Sequence, residues 1–180
     1  MNLEKLFGSK TKLDILKYLI FKRQGVSMRA LETELWWTFP AIKKQVDSLD
    51  EAGIILVEKE STWRAISMKP EILPIFKELF FENLKQELTT LFTKNQNQIS
   101  NYFWWDKFWK PIGMDIILIH NDMQKETIDL LKNEISECFR NCRIESASIV
   151  FMTAEERDKR YRLADRFVLQ VMRFYNGITR

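Results

Sequence analysis

Apolar residues return at every third or fourth position along most of this chain, and the breaks in that rhythm divide it into elements. Leu13, Leu16 and Ile20 share a helical face with Ile15 and Leu19 beside them, and Ser9 stands ahead of the run, where its hydroxyl can accept a first-turn N–H. Ser27 stands in the same way before a short segment that carries Leu31 and Leu35. A third helix begins near Thr38, accepts Pro40 in its first turn, and places Ile42, Val46 and Leu49 at i, i+4 and i+7. Gly53 closes it, because a helix end needs a residue that turns left-handed without a side-chain clash. Two β-prone runs follow, residues 54–58 and 63–68, separated by Lys59, Glu60, Ser61 and Thr62; they predict a hairpin.

Past Pro70, the residues Ile72, Ile75, Phe76, Leu79, Phe80, Leu84, Leu88, Leu91 and Phe92 keep helical spacing with no proline after Pro74. The stripe is longer than a small domain can cover. It predicts one helix over residues 74–94 that joins two domains and pairs with its copy in a homodimer. Polar residues 95–100 interrupt the pattern, and an aromatic cluster follows: Tyr102, Phe103, Trp104, Trp105, Phe108 and Trp109. Aromatic rings in that density can form a stacking platform or a ligand pocket, but they also supply the buried area of an ordinary core, which is the simpler expectation. Strand and helix then alternate: a strand over 114–119, a helix over 121–140 with Met123, Ile128, Leu131, Ile135 and Phe139 on its apolar side, and a strand over 144–152. Thr153 and Glu156 form a capping box for the next helix, and a last amphipathic helix carries Leu163, Phe167, Val168, Val171, Met172 and Tyr175.

The frame from Leu6 to Ser67 (helix, Ser27-capped helix, the helix holding Ile42, Val46 and Leu49, then Gly53 and the hairpin) resembles the ArsR-like winged helix-turn-helix transcriptional regulators. With Ile42, Val46 and Leu49 in a core, the other side of the third helix presents Thr38, Pro40, Ala41, Lys44, Gln45 and Ser48, with Lys43 at its margin. In that family this helix enters the major groove of double-stranded DNA, so these residues become candidate base and phosphate contacts, joined by Lys59 and Arg64 on the wing. Asp47, Asp50, Glu51, Glu58 and Glu60 oppose strong binding. A metal sensor of this type lacks ligands: His120 is the single histidine, and Cys138 and Cys142 are the only cysteines. Two small cysteines four apart on one helix read as packing in a reducing compartment rather than as half of a metal site or a thiol switch.

The later words, Gly113-Met114-Asp115-Ile116-Ile117-Leu118-Ile119 and Phe151-Met152-Thr153-Ala154-Glu155-Glu156-Arg157, look like the minimal nucleotidyltransferase fold over roughly residues 100–175. An active member of that family needs a Gly-Ser turn for nucleotide phosphates and an Asp-x-Asp pair for magnesium. By this resemblance Asp115 takes the second carboxylate position, as a vestige, while Gly113 stands at the first and Phe103-Trp104-Trp105 stands where the turn belongs. Glycine cannot ligate a metal, and the tryptophan pair would fill the phosphate cavity. The resemblance therefore implies a transferase-like domain without catalysis, cofactor or metal.

Charge sharpens the division. The 180 residues carry 28 Lys and Arg against 25 Asp and Glu, for a net +3. Residues 1–70 hold 12 basic and 9 acidic side chains while residues 71–180 hold 16 of each, so the whole surplus lies on the candidate DNA-binding part. The charged start, without an apolar core, and the lack of any run of membrane-spanning length predict a cytoplasmic protein with no membrane partner. No P-loop, nucleophile elbow or dinucleotide fingerprint occurs.

The expectation is an α+β chain in three parts: a winged-helix domain over 1–70, a linker and dimerisation helix over 71–100, and a small nucleotidyltransferase-like α/β domain over 101–180. Its function is expected to be DNA-binding transcriptional regulation, with the C-terminal domain serving dimerisation, an unidentified effector or a protein partner. The competing expectation is a nucleotidyltransferase, or its antitoxin-like partner, in which the winged helix is only a tether.

Overall fold

The computed structural model describes residues 2–59, 62–104, 116–145, 147–166 and 168–169. Its elements, in chain order, are α1 (Leu3–Phe7), α2 (Lys10–Phe21), α3 (Met28–Leu35), α4 (Phe39–Glu51), β1 (Ile55–Lys59), β2 (Arg64–Met68), α5 (Leu73–Lys94), β3 (Ile99–Trp104), β4 (Ile116–His120), α6 (Lys125–Asn141), β5 (Ile149–Thr153) and α7 (Ala154–Arg162). The class is mixed α+β. The chain forms two compact units, residues 1–86 and 87–180, whose boundary falls within α5.

In the first unit, local chemistry starts each helix where the polar residues stand. Ser9 Oγ accepts from the Lys12 N–H at 3.3 Å, and Ser27 Oγ accepts from the Ala30 N–H at 3.1 Å. Each bond satisfies one of the donors that a helix start leaves without an intrahelical partner. Thr38 caps α4 by position only, with Pro40 in the first turn. Ala52 and then Gly53, at φ +70°, end α4. β1 and β2 pair antiparallel, Ile55 opposite Met68 through Lys59 opposite Arg64. A third strand-like contact extends this sheet: Val26 and Ile66 exchange backbone hydrogen bonds at 3.1 and 2.8 Å. Three helices and a hairpin wing thus enclose Ile15, Leu16, Leu19, Leu31, Ile42, Val46, Leu49, Ile55 and Ile66, all buried.

Two further features bear on α5. Residues 3–7 form a helix of their own, and Phe7 at its end stacks on Phe80 and packs at a tilt against Phe76, with ring centroids 6.0 and 5.9 Å apart; Phe21 meets Phe80 edge-on at 6.3 Å. Part of the apolar stripe of α5 is covered within the single chain, while Ile72, Phe76, Leu79 and Leu91 stay partly exposed. Phe80, Phe81, Leu84, Leu88 and Phe92 are at most 2 % exposed in the single chain, and Ile75 is 64 % exposed.

In the second unit, β3, β4 and β5 form one sheet in that order, β3 antiparallel to β4 and β4 parallel to β5. α6 makes the crossover between the parallel pair and buries Leu131, Ile135 and Phe139. Phe103, Ile117, Ile119 and Met152 form the centre of a small core, and Phe92 packs on Tyr102 at 4.6 Å. Residues 99 and 100, expected in the polar break, belong to β3. α6 begins at Lys125 rather than at residue 121, because the preceding loop includes Asp122 at φ +42° and a Met123 N–H that donates to His120 Nδ1 at 3.2 Å. β5 spans only the end of the run expected as a strand over 144–152. The Thr153 cap is formed, its Oγ1 accepting from the Glu156 N–H at 3.1 Å.

Candidate nucleic-acid interface

α4 turns its apolar face inward and leaves Thr38, Pro40, Lys43 and Lys44 exposed. Ala41, Gln45 and Ser48 are half-buried, on the flank nearer α2: Lys12 Nζ donates to Ser48 Oγ at 3.1 Å. Ser48 is thereby engaged within the fold. Lys59 and Arg64 are exposed and directly opposite one another in the last pair of the wing, where two cations side by side repel unless an anion lies near. Glu60 and Ser61, between them in the wing, lie outside the described residues.

The fold assembles a cavity of about 640 Å³ that none of these residues defines alone. Ser27, Met28 and Arg29 enter it from the start of α3, Phe39 and Lys43 from α4, and Thr62, Trp63 and Arg64 from the wing. Lys43, at the margin of the expected face, is therefore central to the groove between helix and wing. Arg29, Phe39 and Trp63 were not among the sequence candidates, since three separate segments bring them together. The turn ahead of α4 is held from both sides. Trp37 Nε1 donates to Asp14 Oδ2 at 3.0 Å, and the Phe39 N–H donates to Glu32 Oε1 at 3.1 Å. Between these anchors Trp36 takes a left-handed φ of +59° and is 92 % exposed.

Asp115, proposed from the resemblance as a vestigial ligand, lies outside the described residues, as do Trp105, Asp106, Phe108, Trp109, Gly113 and Met114. The last expected helix likewise falls largely outside them, at Phe167, Val171, Met172 and Tyr175. Among the described residues no group of three or more His, Cys, Asp or Glu side chains could hold a metal ion, and no helix is long and apolar enough to cross a membrane. Cys142 is buried at the end of α6 and Cys138 is half-buried. Burial raises the Cys138 thiol above its ordinary range, with the Glu87 carboxylate adding to the rise, a backbone hydrogen bond opposing it, and Glu134 and Glu137 adding smaller contributions.

No protein-family model and no curated protein matches this chain. Among solved structures, it is similar to a mutant of ZitR from Lactococcus lactis at 15 % identity and a TM-score of 0.41, covering 74 % of each chain. A mutant of MepR from S. aureus bound to an oligodeoxyribonucleotide is similar at 13 % identity and a TM-score of 0.38, covering 77 % of this chain and 83 % of that one. The transcriptional regulator BldR from Sulfolobus solfataricus is similar at 18 % identity and a TM-score of 0.39, covering 75 % of this chain and 79 % of that one. Similarities at this level do not assign a function to this chain.

Proposed function

We propose that this protein binds double-stranded DNA through α4 and the wing and acts as a transcriptional regulator. The observation that carries the reading is the cavity in which Arg29, Lys43 and Arg64 converge from three segments beside the exposed start of α4. A helix start flanked by cations offers what a duplex requires: an element that fits the major groove and positive charge for the phosphates on either side. In this reading Thr38, Pro40, Ala41 and Gln45 face base edges, Lys43 and Lys44 meet phosphates near the helix, and Lys59 and Arg64 meet the strand beneath the wing. Gln45 has the donor and acceptor pair that recognises adenine in the major groove. Homodimerisation fits this function through the two-fold symmetry of palindromic sites, with α5 as the expected seam, and sedimentation at micromolar concentration tests it.

The reading extends to the second unit as a non-catalytic accessory domain. β4, α6, β5 and the capped α7 follow in the order expected of a nucleotidyltransferase-like domain. Gly113 in place of a carboxylate leaves Asp115 without a partner for magnesium. Labelled nucleotide incubated with magnesium and candidate acceptors should give no adduct. The DNA reading is tested by fluorescence anisotropy with a pool of labelled random duplexes followed by selection for bound sequences. It predicts salt-sensitive binding and an enriched motif. Absence of binding even at low salt would end it.

A further inference from the structure

The cavity between α3, α4 and the wing has a lining that duplex phosphates alone do not explain. Three of its side chains are cationic, Arg29, Lys43 and Arg64, and none of the described lining residues carries a carboxylate. Beside them stand two large rings kept partly in water, Phe39 at 38 % and Trp63 at 42 % exposure. A phosphate needs the cations and gains nothing from the rings. An apolar ligand would suit the rings and strand three charges against itself. A nucleotide satisfies both, since its base offers a flat face for stacking while its phosphate takes the positive charge. The volume, about 640 Å³, lies within the range of sites that hold a small molecule. A base inside a duplex shows only its edges to a protein, so a base that stacks here must be unpaired.

We propose that this groove receives one unpaired nucleotide of the bound DNA, its base against Trp63 and Phe39 and its phosphate beside Arg29, Lys43 and Arg64. The proposal rests on the duplex-binding reading and adds to it a preference for DNA that carries an extrahelical or unstacked base next to the contacted site.

Anisotropy titrations with two labelled DNAs test it: a matched duplex, and the same duplex with one extra unpaired adenosine nucleotide at its centre. The wild-type protein should bind the second on the order of tenfold more tightly, the usual scale of one base stacked on an aromatic ring. Trp63→Ala should make the affinities for the two DNAs equal, whatever its affinity for the matched duplex, with circular dichroism showing that the variant is folded; Trp63→Phe should retain most of the preference. Equal wild-type affinity for the two DNAs, or a preference that survives in both Trp63→Ala and Phe39→Ala, would overturn the proposal. Failure to bind either duplex would instead overturn the DNA reading, and the proposal with it. Free dAMP added as a competitor distinguishes the source of the nucleotide. Weak competition is expected, whereas saturation of the groove by dAMP without any preference between the duplexes would assign it to a free nucleotide and contradict the strand-bound occupant.

Discussion

Trp37 donates its indole N–H to Asp14, Nε1 to Oδ2 at 3.0 Å, and the bond ties the turn that launches α4 to the middle of α2. The next residue but one, Phe39, is capped through its N–H by Glu32 of α3. The entry angle of α4 is thus set by two carboxylates on two other helices, so Asp14 and Glu32, neither of which lines the groove, control its geometry.

Replacing Trp37 by Phe keeps a ring and deletes the donor. A half-buried hydrogen bond to a carboxylate is worth on the order of 1–2 kcal/mol, and chemical denaturation should show a loss of that size. DNA affinity should fall as well, because α4 loses one of its two anchors. Unchanged stability would mean that the indole N–H finds an equal partner in water.

Gly53 sits at φ +70°, and a Cβ there would come within 3.4 Å of Lys69 Nζ, the movable end of a flexible chain. Space is therefore a minor matter and backbone conformation decides. Gly53→Ala should cost about 1–2 kcal/mol, the ordinary penalty for forcing an L-residue into the left-handed region. Gly53→Asn, which tolerates that region better, should cost less, and thermal melts of the two variants check the order.

Leu84 is fully buried in the single chain. Leu84→Ala should destabilise folding by about 2–5 kcal/mol, and the loss should not depend on protein concentration. A loss that grew on dilution would make α5 a dimer seam at Leu84 itself.

Cys138 should react slowly with thiol reagents. Its ionisation is pushed up by burial first and by Glu87 next, so the reactive thiolate should form only above the pH at which an ordinary cysteine ionises. The sign for stability follows. A thiol whose proton is held more tightly in the folded state contributes fully below the unfolded value, and that contribution is lost as pH rises toward the folded one. Labelling rates in a Cys142→Ala background should climb later in pH than those of a free thiol; a midpoint at or below the ordinary value contradicts the assignment.

Much of the first unit was legible because its signals are local. Ser9 and Ser27 cap within three residues, and Ile42, Val46 and Leu49 mark a buried face by spacing alone. α1 was missed because five residues carry no period. β3 was missed because a register shift between Ile99 and Asn101 breaks its alternation, leaving polar residues and aromatic rings that read as a boundary followed by a cluster. The ring partners of Phe76, Phe80 and Phe92 could not be read either, since Phe7, Phe21 and Tyr102 lie in other elements. The groove follows the same rule: Lys43 and Arg64 were legible as charges, whereas Arg29, Phe39 and Trp63 join them only through tertiary structure.

The most direct test of the DNA reading is the salt dependence of duplex binding by the Lys43→Ala, Lys44→Ala double variant. If both lysines lie at phosphates, the plot of log affinity against log salt should flatten by about 0.9 for each contact removed, and affinity should fall on specific and random DNA alike. A slope unchanged from wild type would show that α4 does not lie against the DNA backbone and would contradict the account at its centre.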